Sequence, residues 1–223
     1  PALIYGAMLA GVDYVMVGAG IPWQIPGIMD SLSRHEAIDL KITLEGEFAD
    51  PPATLRFDPK AALGECDLEL RRPNFLAIIS SSTLAQALLK RATGTIEGFV
   101  VEGWTAGGHN APPRGASTVN ERGEPIYGER DRVDPAKMQA LGLPFWLAGG
   151  QGYPGAVAKA RELGAQGVQV GTLFAFCAES GIATELREAA LAKIQRGDAD
   201  VLTDPLASPT GFPFKVVGMP GTL

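Results

Sequence analysis

The chain has 223 residues, 46% of them hydrophobic, and its 25 acidic against 19 basic side chains leave a formal net charge of −6. That composition supports a sizeable folded core and excludes a general binder of nucleic acid or of an anionic membrane surface, since both need a basic face. No apolar run approaches the roughly 20 residues of a membrane span, no leader pattern is present, and Cys66 and Cys177 show neither paired spacing nor a Cys/His ligand pattern; a cytoplasmic protein with two free thiols and no metal site is expected.

In chain order, the opening PALIYGAMLA reads as the tail of a helix whose preceding strand is absent. A strand is expected over Asp13 to Val17. Residues 22 to 72 are then too long for an ordinary connection. Within them Leu40, Ile42 and Leu44 alternate with polar residues, as do Leu55 and Phe57 after DPP at 50 to 52, which predicts an inserted hairpin that covers a barrel end or a subunit contact. Four more strands follow, over Phe75 to Ile79, Ile96 to Glu102, Pro144 to Ala148 and Gly167 to Gly171. Between them Thr83 and Gln86 form a capping box for a helix ending near Gly94, Asp134 with Pro135 opens one that stops at Gly142, and Pro154 opens one that stops at Gly164. A last helix is expected over Ala183 to Arg196, before Gly197.

Uniformly apolar strands separated by helices belong to a parallel sheet covered on both faces, so the class is α/β. LAGVDYVMVGAG at 9 to 20 and LGAQGVQVGTLF at 163 to 174 are self-similar, as in a βα array. Five strands are visible where a TIM (β/α)8 barrel has eight. The expectation is therefore one barrel domain over 1 to 223, carrying strands 4 to 8 as the later part of a longer protein, with 22 to 72 as its appendage.

The chemistry concentrates at strand ends. After the apolar run Phe99, Val100, Val101, the pair Gly107 and Gly108 ends a strand and presents His109, one of only two histidines, where the strand opens into a loop. The polar stretch 110 to 133 that follows is of a length common in lids and substrate walls. Gly149 and Gly150 end the next strand, and Gly171 and Thr172 end the one after it. Two successive glycine turns followed by helix starts can offer backbone N–H groups to one phosphate, and in a (β/α)8 barrel the turns after strands 7 and 8 are the usual place for it. Gly150, Gly152 and Gly155 also spell the G-x-G-x-x-G of dinucleotide-binding folds, but the strand after it, Val168 to Gly171, carries no acid to hold a ribose.

With these residues assembled, VGAGIP at 17 to 22, EGWTAGGHN at 102 to 110, LAGGQG at 147 to 152 and GVQVGTLF at 167 to 174, the chain resembles the flavin-dependent nitronate monooxygenases, once called 2-nitropropane dioxygenases and related to the FMN-containing enoyl-acyl-carrier-protein reductases. The resemblance spans nearly all of the chain outside 22 to 72. It implies a (β/α)8 barrel holding FMN, with Gly107 and Gly108 at the cofactor, its phosphate on the backbone amides of Gly149, Gly150, Gly171 and Thr172, and His109 beside the flavin ring. It implies oxidation of a small nitronate or nitroalkane by oxygen to a carbonyl compound and nitrite, with His109 removing a proton or bonding the nitro group. DPLASPTGFPFKV at 204 to 216 is similar to a substrate-side segment of some members. Thr105 stands where members usually have Glu or Cys, and Asn110-Ala111-Pro112 where they have a glycine. An NAD(P)H-dependent enoyl reductase and a non-catalytic barrel fragment stay open as alternatives, and a homodimer is the assembly to test.

Overall fold

A computed structural model describes residues 1–18, 20–42, 53–64, 68–115 and 118–220. Leu44, Cys66, the DPP at 50 to 52 and Ala19 of VGAGIP lie outside them. Five parallel strands, β1 (Tyr14–Val17), β4 (Asn74–Ile79), β5 (Gly98–Glu102), β6 (Phe145–Ala148) and β7 (Gly167–Gln169), pair in chain order. All five expected strands are there, each within a few residues of its expected bounds. An order that never reverses has no switch point of the kind at which doubly wound sheets bind dinucleotides, so the G-x-G-x-x-G reading loses its structural context. The fold is α/β with the consecutive parallel strands of part of a (β/α)8 barrel.

The chain divides into two compact units, one of residues 1–78 and 83–99, the other of 79–82 and 100–223. In the first, α1 (Ala2–Leu9) precedes β1, and α2 (Ile25–Leu32) follows it. This corrects the expectation of an appendage beginning at residue 22. Pro26 within the first turn starts a regular helix whose Ile28, Met29 and Leu32 are buried, so the connection opens with the helix that a βα array requires. Only the later part is a hairpin, in which β2 (Ile38–Lys41) runs antiparallel to β3 (Thr54–Phe57) with Leu40 opposite Leu55. A short helix, α3 (Pro59–Leu63), follows, capped by the Asp58 carboxylate on the Lys60 amide at 2.9 Å. Phe75, Leu76 and Ala77 of β4 and Leu88 of α4 (Ser82–Arg91) are buried. That helix starts one residue ahead of Thr83, which lies inside its first turn.

The second unit holds the ends of the later strands. Asp134 caps α5 (Pro135–Gln139) as expected, accepting from the Ala136 amide at 2.9 Å. The next helix, α6 (Ala156–Glu162), begins behind Gly155 at φ +87° rather than at Pro154, because the left-handed glycine turns the chain into the helix. After β7 come a four-residue helix, α7 (Thr172–Ala175), and α8 (Thr184–Arg196), which closes on left-handed Gly197. A final antiparallel hairpin, β8 (Val201–Asp204) with β9 (Phe214–Val217), was not foreseen; its β-branched runs flank a proline-rich turn that reads from sequence as loop. Phe145, Ala148, Val100, Met138 and Ala160 are buried in this unit.

Candidate functional site

Where β5, β6 and β7 end, their C-terminal residues surround a cavity of about 540 Å³ within the second unit. Gly107 and Gly108 line it after β5, Gly149 and Gly150 after β6, and Gly171 and Thr172 after β7. Six of the seven residues singled out by sequence therefore share one cavity. The volume lies within the roughly 300–1,000 Å³ of small-molecule and cofactor sites, and the location at strand C-termini is where parallel barrels put theirs.

The glycines do two different jobs. Gly149 has φ +91°, and a Cβ there would lie 2.9 Å from the Ala106 backbone nitrogen, 3.0 Å from Thr105 Oγ1 and 3.1 Å from the Gly103 carbonyl oxygen. Backbone conformation and close approach both require glycine. At Gly171 a Cβ would meet nothing within 4 Å and φ is an ordinary −109°. The fold does not require glycine there, while the adjoining space belongs to the cavity. Among the described residues, the backbone N–H groups of Gly150, Gly171 and Thr172 have no hydrogen-bond acceptor. Gln169 Oε1, also on the cavity wall, is buried without a partner. Unmet donors and acceptors at a cavity surface are what a polar ligand satisfies.

His109 is exposed, and it is the one expected site residue that does not line the cavity. Its neighbour Gly108 does. The imidazole is held from the other side by the C-terminal hairpin: Nε2 lies 2.7 Å from Ser208 Oγ, and the ring meets Phe214 edge-on with centroids 4.6 Å apart at 82°. Backbone bonds fix the same junction, from the Lys215 amide to the Gly108 carbonyl at 2.9 Å and from the Asn110 amide to the Pro213 carbonyl at 2.8 Å. The segment at 204 to 216 thus clasps the AGGH turn.

Sequence reading missed Glu102 and Gln169. Glu102, the last residue of β5, borders both the main cavity and a second, water-sized one of about 20 Å³ lined by Ser80, Trp104, Arg114, Tyr127 and Asp131. Burial pushes its carboxyl above the usual carboxylate range. A charged residue closing an apolar strand, and a glutamine amid the valines of VQVG, were signals available without a structure.

The loop 110 to 133 walls the small cavity, and none of its described residues lines the large one. Its described residues are pinned at several points. Trp104 stacks on Tyr127 with centroids 5.5 Å apart, and the Arg132 guanidinium lies over the Trp104 ring at 5.6 Å from its centroid. Tyr127 donates to the Ala111 carbonyl at 3.0 Å, Arg114 donates to the Ser80 carbonyl at 2.6 Å, and Asp131 accepts from the Arg114 and Gly128 amides. Burial, then Asp131, pushes the Tyr127 phenol up. Glu124 accepts from the Thr203 amide at 2.9 Å, which with Asn120 holds its carboxyl below the usual range.

A family model described as Nitronate monooxygenase matches residues 61–205, well over half of the chain. A curated relative, the probable nitronate monooxygenase of Bacillus subtilis (strain 168), is 38% identical over 112 residues, which are 50% of this chain and 30% of that protein. Among solved structures, FabK from Thermotoga maritima is similar with a TM-score of 0.52 at 20% identity, over 98% of this chain and 50% of its own. The enoyl reductase domain of MlnA from the macrolactin biosynthesis cluster of Bacillus amyloliquefaciens is similar with a TM-score of 0.53 at 12% identity, over 97% of this chain and 47% of its own. The chain thus spans about a third of the length of the curated relative and about half of each solved chain.

Proposed function

This chain belongs to the nitronate monooxygenase family, and on that footing we propose that its cavity is an FMN site serving the oxidation of a small nitronate or nitroalkane by oxygen, with a carbonyl compound and nitrite as products. The observation that carries the proposal is the convergence of three strand-end glycine turns on one cavity, with donor N–H groups left unmet at two of them. The residues present fit the cofactor. Gly171 leaves open space where a side chain would stand, and the orphaned Gln169 Oε1 offers an acceptor to an N–H donor such as a flavin ring supplies. When bound, FMN supplies the electron transfer and the reaction with oxygen.

The work of this chain's own residues is binding and proton handling. The amides of Gly150, Gly171 and Thr172 are the donors for the phosphate, with Gly149 permitting the tight turn that aims them. Thr172 Oγ1 adds a hydroxyl; it lies 3.2 Å from where a Cβ on Gly107 would be, so the turns after β5 and β7 approach closely at this point. His109, exposed and adjacent in sequence to the lining residue Gly108, is the base for an acidic α-proton or the donor to a nitro oxygen. A cytoplasmic, dimeric protein is part of the same reading.

The likeness to an enoyl reductase domain keeps one rival, an NAD(P)H-dependent enoyl reductase at the same cavity. The purified protein is expected to be yellow with flavin absorbance, to consume oxygen with a nitronate, and to lack NADPH-dependent enoyl reduction. His109→Asn should retain flavin while turnover of the neutral nitroalkane falls by about 10²-fold or more. A colourless protein that takes up no FMN overturns the proposal, and enoyl reduction without nitronate oxidation installs the rival.

A further inference from the structure

His109 Nε2 is only the first link of a chain. Ser208 Oγ, 2.7 Å from it, lies 2.6 Å from Thr210 Oγ1 and also accepts from the Thr210 backbone amide at 3.3 Å. Ser208 is 7% exposed, whereas Thr210 is exposed. A hydroxyl oxygen has one proton and two lone pairs. One lone pair of Ser208 is taken by the Thr210 amide, which leaves one lone pair and one proton for two neighbours. The two neighbours must therefore be served oppositely: if His109 donates from Nε2, Ser208 donates to Thr210, and if Thr210 donates to Ser208, Ser208 donates to an unprotonated Nε2.

We infer that Ser208 and Thr210 form a hydroxyl relay that keeps the His109 proton on Nε2, leaves Nδ1 as the nitrogen free to accept a proton, and discharges that proton to solvent. Nδ1 makes no hydrogen bond among the described residues, and the edge-on Phe214 ring together with the backbone bonds at Gly108 and Asn110 fixes the ring's plane. When Nδ1 takes a proton, the imidazolium passes its Nε2 proton to Ser208 Oγ as the Ser208 proton moves to Thr210 Oγ1 and the Thr210 proton leaves to water. One proton enters and one exits, with the imidazole restored as neutral on the other tautomer. Reversal of the relay through solvent exchange returns the starting state. Ser208 and Thr210 are positioning residues in this scheme, acting through His109.

The inference rests on the reading of His109 as the base, and its test is built to fail separately from that reading. In ¹⁵N-labelled protein at a pH where the imidazole is neutral, long-range ¹H–¹⁵N spectra should show His109 protonated at Nε2. Thr210→Val removes the acceptor for the Ser208 proton; Ser208 then turns its O–H toward Nε2, and the ring proton should move to Nδ1. Thr210→Ser should restore the original pattern. Because Thr210 is exposed, this variant leaves the packing in place. In the FMN-loaded protein Ser208→Ala should slow turnover of a neutral nitroalkane about tenfold or more beyond any slowing of the preformed nitronate, which has no proton to lose. An unaltered His109 nitrogen pattern in Thr210→Val, or equal slowing of both substrates in Ser208→Ala, overturns the relay. Unchanged nitroalkane turnover in His109→Asn would instead remove the base reading and leave the tautomer result standing.

Discussion

Replacing Gly149 by alanine and Gly171 by alanine should give opposite outcomes, although the two glycines look alike in sequence and line the same cavity. At Gly149 the backbone sits at φ +91°, where an L side chain costs about 1–2 kcal/mol. The new methyl would also lie 2.9 Å from the Ala106 nitrogen and 3.1 Å from the Gly103 carbonyl oxygen, both backbone atoms that cannot rotate away. Overpacking of that kind costs about 1–3 kcal/mol, so the total loss is about 2–5 kcal/mol and the melting temperature should drop by roughly 4–20 °C. At Gly171 the methyl meets nothing within 4 Å and φ is −109°, so stability should stay within about 0.5 kcal/mol. Its cost should fall on the ligand instead, as a weaker FMN dissociation constant with an unchanged fold. Urea unfolding of the flavin-free proteins and flavin titration of both variants separate the two effects. Parental stability in Gly149→Ala would refute the packing argument, and unchanged FMN affinity in Gly171→Ala would refute the assignment of that turn to the phosphate.

Glu102 makes a prediction with a sign. Burial raises its carboxyl in the folded state, so its contribution to stability is fully present below the unfolded pKa and is lost as pH rises through the raised folded value. Glu102→Gln carries no such loss; the stability of the variant relative to wild type should therefore increase from acid toward neutral pH, as measured by urea unfolding at both, and a pH-independent difference would contradict it. Asp134→Ala should cost about 0.5–2 kcal/mol through loss of the cap on the Ala136 amide, with flavin content unchanged; a stability equal to wild type would show the cap replaced by water.

The sheet was legible because its strands are short, apolar and closed by glycine or proline, and because Asp134 and Gly197 announce helix ends through local chemistry that tertiary packing does not override. The five cavity glycines and Thr172 were legible for a related reason: a strand, a glycine turn and a helix start recur at β6 and β7, and repetition in sequence became adjacency in space. What sequence could not provide was distance across the chain. Nothing near residue 109 announces that Ser208 and Phe214, about a hundred positions later, occupy its ring, because a hydrogen bond between remote loops leaves no periodic trace. The helix Ile25–Leu32 was hidden inside a long connection whose alternating leucines drew attention to the hairpin instead. Glu102 was overlooked because it ends a run read for its valines.

The clasp of the last hairpin on the AGGH turn ties residues 204 to 216 to the setting of the His109 ring. An affinity tag or truncation that disturbs residues 205 to 216 would act on the imidazole as directly as a substitution beside it. By the same logic, changes in that stretch can shift the His109 ring while every residue around the cavity itself stays as it is.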